Sequence, residues 1–143
     1  MKYGLLASAF SPFPHPGHVY VMKQAREAGC DGIVAFLHGD PSVARPFKIQ
    51  PALSVKERTI LLRPLVTLIV PYKTESDLVK LYVRASDWLD CVLITGEEYR
   101  GTTFTGHDLG LPVVFTKRIN GISGTDYARR ITTSYIERHG VPT

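Results

Sequence analysis

Five short apolar runs, separated by stretches of helical or polar pattern, leave this chain few ways to fold. The runs are Tyr3–Ala9, Gly32–Leu37, Val66–Val70, Cys91–Thr95 and Pro112–Thr116. Each has strand length and none alternates cleanly between apolar and polar residues. Strands of that kind are buried on both faces, which is the signature of a parallel sheet between helix layers. The intervening stretches supply the helices. Val21, Met22, Ala25 and Ala28 recur at helical spacing, and Gly29 fits the stop. Ser54-Val55-Lys56-Glu57 has capping-box spacing and opens a helix through about Leu62, ended by Pro64. Ser76–Ser86 reads as a third helix. Ser123 starts a last one, whose Tyr127, Ile131 and Tyr135 at i, i+4, i+8 form an expected buried stripe.

The expected fold is therefore α/β: one domain over residues 1–143, a Rossmann-like three-layer sandwich with a five-stranded parallel sheet. Ligands of such sheets bind beyond the carboxyl ends of the strands, near the point where strand order reverses. The loops there carry the candidate functional residues. Two loops stand out. Phe10–Pro16 contains three prolines in seven residues and is a rigid connection. His38–Leu53 is polar, lacks periodicity and holds Arg45 and Lys48; loops of that length are usually functional or mobile.

His15-Pro16-Gly17-His18 lies between the first strand and the first helix. Two imidazoles three apart face the same way at a helix start. Free N–H groups and the helix dipole favour a phosphate there, and Gly17 permits close approach. A neutral imidazole still donates one N–H, so the pair can stabilise charge developing on transferred phosphoryl oxygens. A metal reading lacks a third ligand, because His38, His107 and His139 have no metal-site spacing to the pair. Arg118–Thr125 is the second segment. Gly121 and Gly124 permit close backbone approach, and Ser123 and Thr125 either bind phosphate or cap the helix. Lys48 offers a mobile point charge, and Arg58 a bidentate anion clamp. Gly96-Glu97-Glu98-Tyr99-Arg100-Gly101 follows the fourth strand with acidic residues that meet a metal-nucleotide or a substrate hydroxyl, or cap a short helix.

Charge and composition exclude several classes. The net charge is +4 and the sequence pI about 9.2, which favours an anionic ligand, yet no block of five Lys/Arg occurs. No nucleic-acid partner is expected, since no aromatic-basic strand pattern appears. No apolar run approaches membrane-spanning length, and no signal-peptide core precedes the first strand, so no membrane association is expected. Cys30 and Cys91 are isolated thiols, in keeping with a reducing compartment and a cytoplasmic location.

Together these segments resemble the cytidylyltransferase-like nucleotidyltransferases, and within them the small bacterial glycerol-3-phosphate cytidylyltransferases. His15-Pro16-Gly17-His18 matches the family's HxGH signature. Glu57-Arg58 resembles its Glu-Arg helix region, and Lys48 sits close to its phosphate-binding lysines. Gly96–Gly101 resembles its Gly-Asp-Asp-aromatic-x-Gly loop, and Arg118–Thr125 its Arg-x-x-Gly-Ile-Ser-x-Thr segment. The resemblance implies transfer of CMP from CTP to a phosphorylated small-molecule acceptor, with Mg²⁺ accompanying the triphosphate and pyrophosphate released. It implies His15, His18 and Lys48 as catalytic. It implies Ala9, Phe10, Gly17, Gly96, Glu98, Arg118, Gly121, Ile122, Ser123 and Thr125 around the nucleotide, and Ser11, Arg58 and Glu97 around the acceptor. No protein-held metal site is implied, and family members often form homodimers. The alternatives are an ATP-using adenylyltransferase on the same scaffold and a non-catalytic nucleotide-binding module. Two departures stand out. Ala9-Phe10-Ser11 replaces the family's usual Thr-Phe-Asp, and one extra residue lies between Phe10 and His15.

Overall fold

The computed structural model of the protein describes residues 1–142. Strands and helices alternate along the chain as β1 (Lys2–Ser8), α1 (Pro16–Glu27), β2 (Gly32–His38), α2 (Val55–Leu62), β3 (Leu68–Tyr72), α3 (Glu75–Trp88), β4 (Asp90–Gly96), β5 (Val113–Thr116) and α4 (Gly124–His139). All four strand pairings are parallel, and the order across the sheet is β3-β2-β1-β4-β5. The order reverses between β1 and β4, so a crevice opens at the carboxyl ends of these two strands.

The period of two along each strand sorts its side chains onto two cores. On β2, Ile33, Ala35 and Leu37 pack with Met22 and Ala25 of α1 and Leu62 of α2. Val34 and Phe36 point to the other face and pack with Leu78 and Tyr82 of α3. All seven residues of β2 are buried, as expected for the strand covered by helices on both sides. The helix ends follow local chemistry. Ser54 and Glu57 form the expected capping box on α2, Thr74 caps α3, and Gly29, at φ +104, stops α1.

Two features differ from the sequence reading. β3 runs Leu68–Tyr72 rather than Val66–Val70. It is an edge strand, where the missing N–H of Pro71 is tolerated. The predicted stripe of α4 is not buried: Ile131 and Tyr135 are each 52% exposed, and α4 has no buried residue. Only its first turn docks, with the Tyr127 ring against those of His15 and Phe13. Helical periodicity identifies a face, and here no sheet surface remains to cover it.

Candidate functional site

The β1–α1 loop brings its two histidines together through a reciprocal cap. The main-chain N–H of His15 donates to His18 Nδ1 (3.1 Å), and the Gly17 N–H donates to His15 Nδ1 (3.0 Å). Both Nδ1 atoms are thus acceptors, so in each neutral ring the proton sits on Nε2. The rings lie 3.9 Å apart between centroids. Phe10, fully buried with φ 50, packs against His18 at 4.9 Å. Burial, with His15 alongside, pushes the His18 pKa down to about 3, and burial also lowers that of His15. Both rings are therefore neutral N–H donors at physiological pH. His15 Nε2 is buried and has no hydrogen-bond partner among the described residues.

The expected anion site at the start of α1 is not formed by its main chain. The Gly17 amide is occupied by His15 Nδ1, and the His18 amide by the His15 carbonyl (2.9 Å). Gly17 owes its size to packing, since a Cβ would come within 2.7 Å of the His15 ring and 2.9 Å of the Ile122 carbonyl oxygen. The free helix-start amides belong to α4. Ser123 is its N-cap, accepting from the Asp126 N–H (3.1 Å) and donating to the Asp126 carboxylate (2.6 Å). The N–H groups of Gly124 and Thr125 keep no intrahelical partner. Gly124 lies directly against the Ser11 carbonyl, where a Cβ would overlap it. The two segments that carry the signature motifs therefore meet across the crevice between β1 and β4.

They form one wall of a cavity of about 700 Å³. Ala9, Ser11, His15, Gly17 and His18 line it from the first loop. Arg118, Ile122, Ser123 and Thr125 line it from the last, and Gly96 and Glu98 from the loop after β4. Lys48 and Arg45 reach it from the long loop after β2. That loop is tied back to the site: Ser11 Oγ donates to the Ile49 carbonyl, and the Ala52 N–H to that of Pro12. Four cations, Arg45, Lys48, Lys117 and Arg118, against the two carboxylates Glu75 and Glu98, suit a polyanion. Arg118 holds Glu98 at 3.1 Å.

Four expected site residues lie elsewhere. Arg58 is 2% exposed and its guanidinium is engaged by main-chain carbonyls, of Ala9 (2.7 Å), His38 (2.8 Å), Gly39 (2.7 Å), Leu53 (3.0 Å) and Ser54 (3.3 Å). It ties the β1–α1 loop to the end of β2 and is not placed to clamp a substrate anion. Phe10 is a core residue behind His18 rather than part of the lining. Glu97 and Gly121 are exposed and do not line the cavity. Conversely, sequence reasoning missed His38, Tyr72, Glu75, Tyr82 and Thr105, which line its far end. His38 and Tyr72 close β2 and β3 at the carboxyl edge of the sheet, and that position was the available signal.

Among the described residues, no cluster of three His, Cys, Asp or Glu could hold a metal ion, and no helix is long and apolar enough to cross a membrane.

No family model matches the chain. Two proteins named bifunctional protein HldE are similar to it. One, from Paramagnetospirillum magneticum, is 32% identical over 124 residues, covering 82% of this chain and 24% of that protein. The other, from Acidiphilium cryptum, is 36% identical over 95 residues, covering 64% of this chain and 18% of that protein. The chain thus spans a quarter or less of the curated relatives it matches. These likenesses support a nucleotidyltransferase-like family for the chain, and do not single out the glycerol-3-phosphate cytidylyltransferases.

Proposed function

We propose that this chain is a nucleotidyltransferase that joins a nucleoside monophosphate to a phosphorylated small-molecule acceptor. The observation that carries the reading is the meeting of two neutral imidazole donors with the free amides of α4 at one cation-lined crevice. An oxygen of the acceptor phosphate attacks the α-phosphorus of a nucleoside triphosphate. The new P–O bond forms as the bond to the leaving pyrophosphate breaks. Negative charge grows on the oxygens around the α-phosphorus, and His15 and His18 meet it with their Nε2–H groups. Fixed donors of this kind need no reorganisation when the charge develops. A buried His15 Nε2 that lacks a partner gains one when a phosphate oxygen reaches it. The Gly124 and Thr125 amides, at the positive end of α4, take a second set of oxygens. Lys48, on its loop, supplies a cation to the triphosphate.

The donor set fits Mg²⁺ arriving with the triphosphate, since that ion is usually held by substrate phosphates, water and one or two carboxylates. Glu98, which lines the cavity and which the resemblance sets beside the nucleotide, is the carboxylate that would help hold such an ion. When bound, Mg²⁺ supplies charge neutralisation on the phosphates. Ser11 stands where the resembled family carries Asp, so a carboxylate at that position is not part of the reading.

ATP and CTP are both candidate donors. The imidazoles and α4 amides serve phosphates and do not distinguish the bases. Arg118, which the resemblance sets around the nucleotide, is paired with Glu98 and does not by itself select a base. The likeness to HldE proteins favours the adenylyl reading. The test is pyrophosphate release with ATP and with CTP across a panel of phosphorylated alcohols and sugars. Acceptor-dependent release with one of them is expected. Tight triphosphate binding with no release for any acceptor would instead support a non-catalytic nucleotide-binding module.

A further inference from the structure

The Nε2 end of the buried His15 ring has no hydrogen-bond partner among the described residues. The other end has one, the Gly17 N–H at Nδ1 (3.0 Å). One bond does not fix the plane of the ring, because the second side-chain torsion of histidine is broad and roughly two-fold. A donor that meets developing charge without reorganising has to be held in place beforehand. For His15, packing is what remains to hold it.

That packing comes from two elements. The His18 ring of α1 lies 3.9 Å from the His15 ring between centroids, and the Tyr127 ring of α4 lies 4.7 Å from it. Tyr127 stands one turn past the Ser123 cap, and its N–H donates to the Ser123 carbonyl (3.0 Å). Its own ring is held in turn. Phe13 packs against it at 6.4 Å, and the Arg130 guanidinium sits over it at 5.1 Å. The ring, not the hydroxyl, makes these contacts. Tyr127 does not line the cavity, so it is not placed to touch a substrate. His18 is secured differently: Phe10 packs on it from the core at 4.9 Å, and its Nδ1 accepts from the His15 N–H. Of the stripe Tyr127, Ile131 and Tyr135, the last two are each 52% exposed, and Tyr127 is the member the fold uses.

We propose that Tyr127 is a positioning residue for His15: its ring sets the plane of the imidazole. The helix that offers the Gly124 and Thr125 amides would then also aim the first histidine, so seating α4 completes both halves of the site. What His15 does once aimed rests on the nucleotidyl-transfer reading. The control of its ring by Tyr127 does not.

The test is a double-mutant cycle in the full chain, read in two ways. Its members are Tyr127→Leu, which removes the ring and keeps an apolar side chain, Tyr127→Phe, which keeps the ring, His15→Ala, and His15→Ala combined with Tyr127→Leu. Urea midpoints establish that each is folded, and Tyr127→Met replaces the leucine variant if that one is not. The first readout needs no substrate. Both imidazoles are neutral at physiological pH, so the ¹⁵N shifts of their ring nitrogens report the tautomer. His15 is expected to hold its proton on Nε2 alone in the native chain and in Tyr127→Phe. In Tyr127→Leu its nitrogens are expected to move toward the average of two tautomers, while those of His18 stay in place. The second readout is pyrophosphate release. Tyr127→Leu is expected to lower kcat about tenfold or more, since misplacing a reacting group by about 1 Å costs on the order of 10²-fold, with the triphosphate KM within about twofold of native. Tyr127→Phe is expected to restore turnover. In the His15→Ala background, Tyr127→Leu is expected to cost nothing further. An unchanged His15 tautomer in Tyr127→Leu, or the same loss of kcat with and without His15, overturns the positioning role. If the tautomer shifts but no pair of substrates releases pyrophosphate, the transfer reading fails and the positioning role stands. If pyrophosphate is released and Tyr127→Leu turns over like the native chain, the transfer reading stands and the positioning role fails.

Discussion

Replacing Arg58, whose guanidinium ties the first loop to the end of β2, gives a quantitative test of what holds the site in place. Its Nη1 and Nη2 atoms reach three carbonyls, of Ala9, His38 and Gly39, at 2.7–2.8 Å. Arg58→Met keeps much of the volume and removes every donor. Each carbonyl then loses a charge-assisted bond in a buried place, at about 1–3 kcal/mol. Water and small main-chain shifts recover part of this, so the expected loss is about 3–5 kcal/mol. That is a large share of the roughly 5–15 kcal/mol that holds a domain together. With a urea slope of about 2 kcal/mol/M, the unfolding midpoint falls by about 2 M. Arg58→Lys, with one compact ammonium in place of the planar fork, is expected to lose about half as much. A midpoint shift below about 0.5 M, together with a raised acceptor KM, would show that the guanidinium serves a substrate anion after all.

Three further outcomes are expected. His18→Ala should lower turnover on the order of 10²–10³-fold, because it removes a transition-state donor, while the lost cap on the His15 N–H, worth about 1 kcal/mol, lowers the urea midpoint by only about 0.5 M; a variant that unfolds would make His18 a packing residue. Gly124→Ala places a methyl group on the Ser11 carbonyl and pushes the two loops apart; triphosphate affinity by calorimetry should fall tenfold or more, and unchanged affinity would mean that the loops need not meet. Stability should fall on acidification. The folded His18 pKa of about 3 lies below its unfolded value of about 6.5, so between these values the unfolded chain binds a proton that the folded chain refuses. The loss from this residue approaches about 1.4 kcal/mol per pH unit well below pH 6.5, and integrates to about 1.6 kcal/mol from pH 6.5 to 5. Urea midpoints across that range check it, and a midpoint that holds or rises would contradict the buried, neutral ring.

Much of this architecture is legible in the sequence because its signals are periodic and local. The wholly apolar Gly32–Leu37 run required cover on both faces, and β2 has it. Ser54 and Glu57 announce the start of α2 within four residues. The readings that failed depended on what surrounds a residue. Tyr127, Ile131 and Tyr135 mark one face of α4, but their spacing does not say whether a layer lies against it. The charge of Arg58 announces an acceptor partner without saying whether a ligand or a carbonyl provides it. The caps on α1 are imidazoles rather than hydroxyls, so the sequence alone leaves its amides free for a phosphate. Tyr72, Tyr82 and Thr105 converge only through the crossover from β3 by way of α3 to β4, and no local pattern joins them. The first loop is intermediate: its position and its partner at α4 were legible, whereas the packing of Phe10 behind His18 needed the left-handed turn at φ 50.

In the proposed reaction the histidine pair and the start of α4 act on one polyphosphate. It is tested most directly by following the imidazoles of His15 and His18 and the amides of Gly124 and Thr125 by NMR. The titrant is a nucleoside triphosphate with a methylene bridge between its α- and β-phosphorus, which cannot turn over. All four resonances are expected to shift along one binding curve with a single Kd. Shifts confined to one segment, or two segments following different curves, would contradict a shared phosphate site.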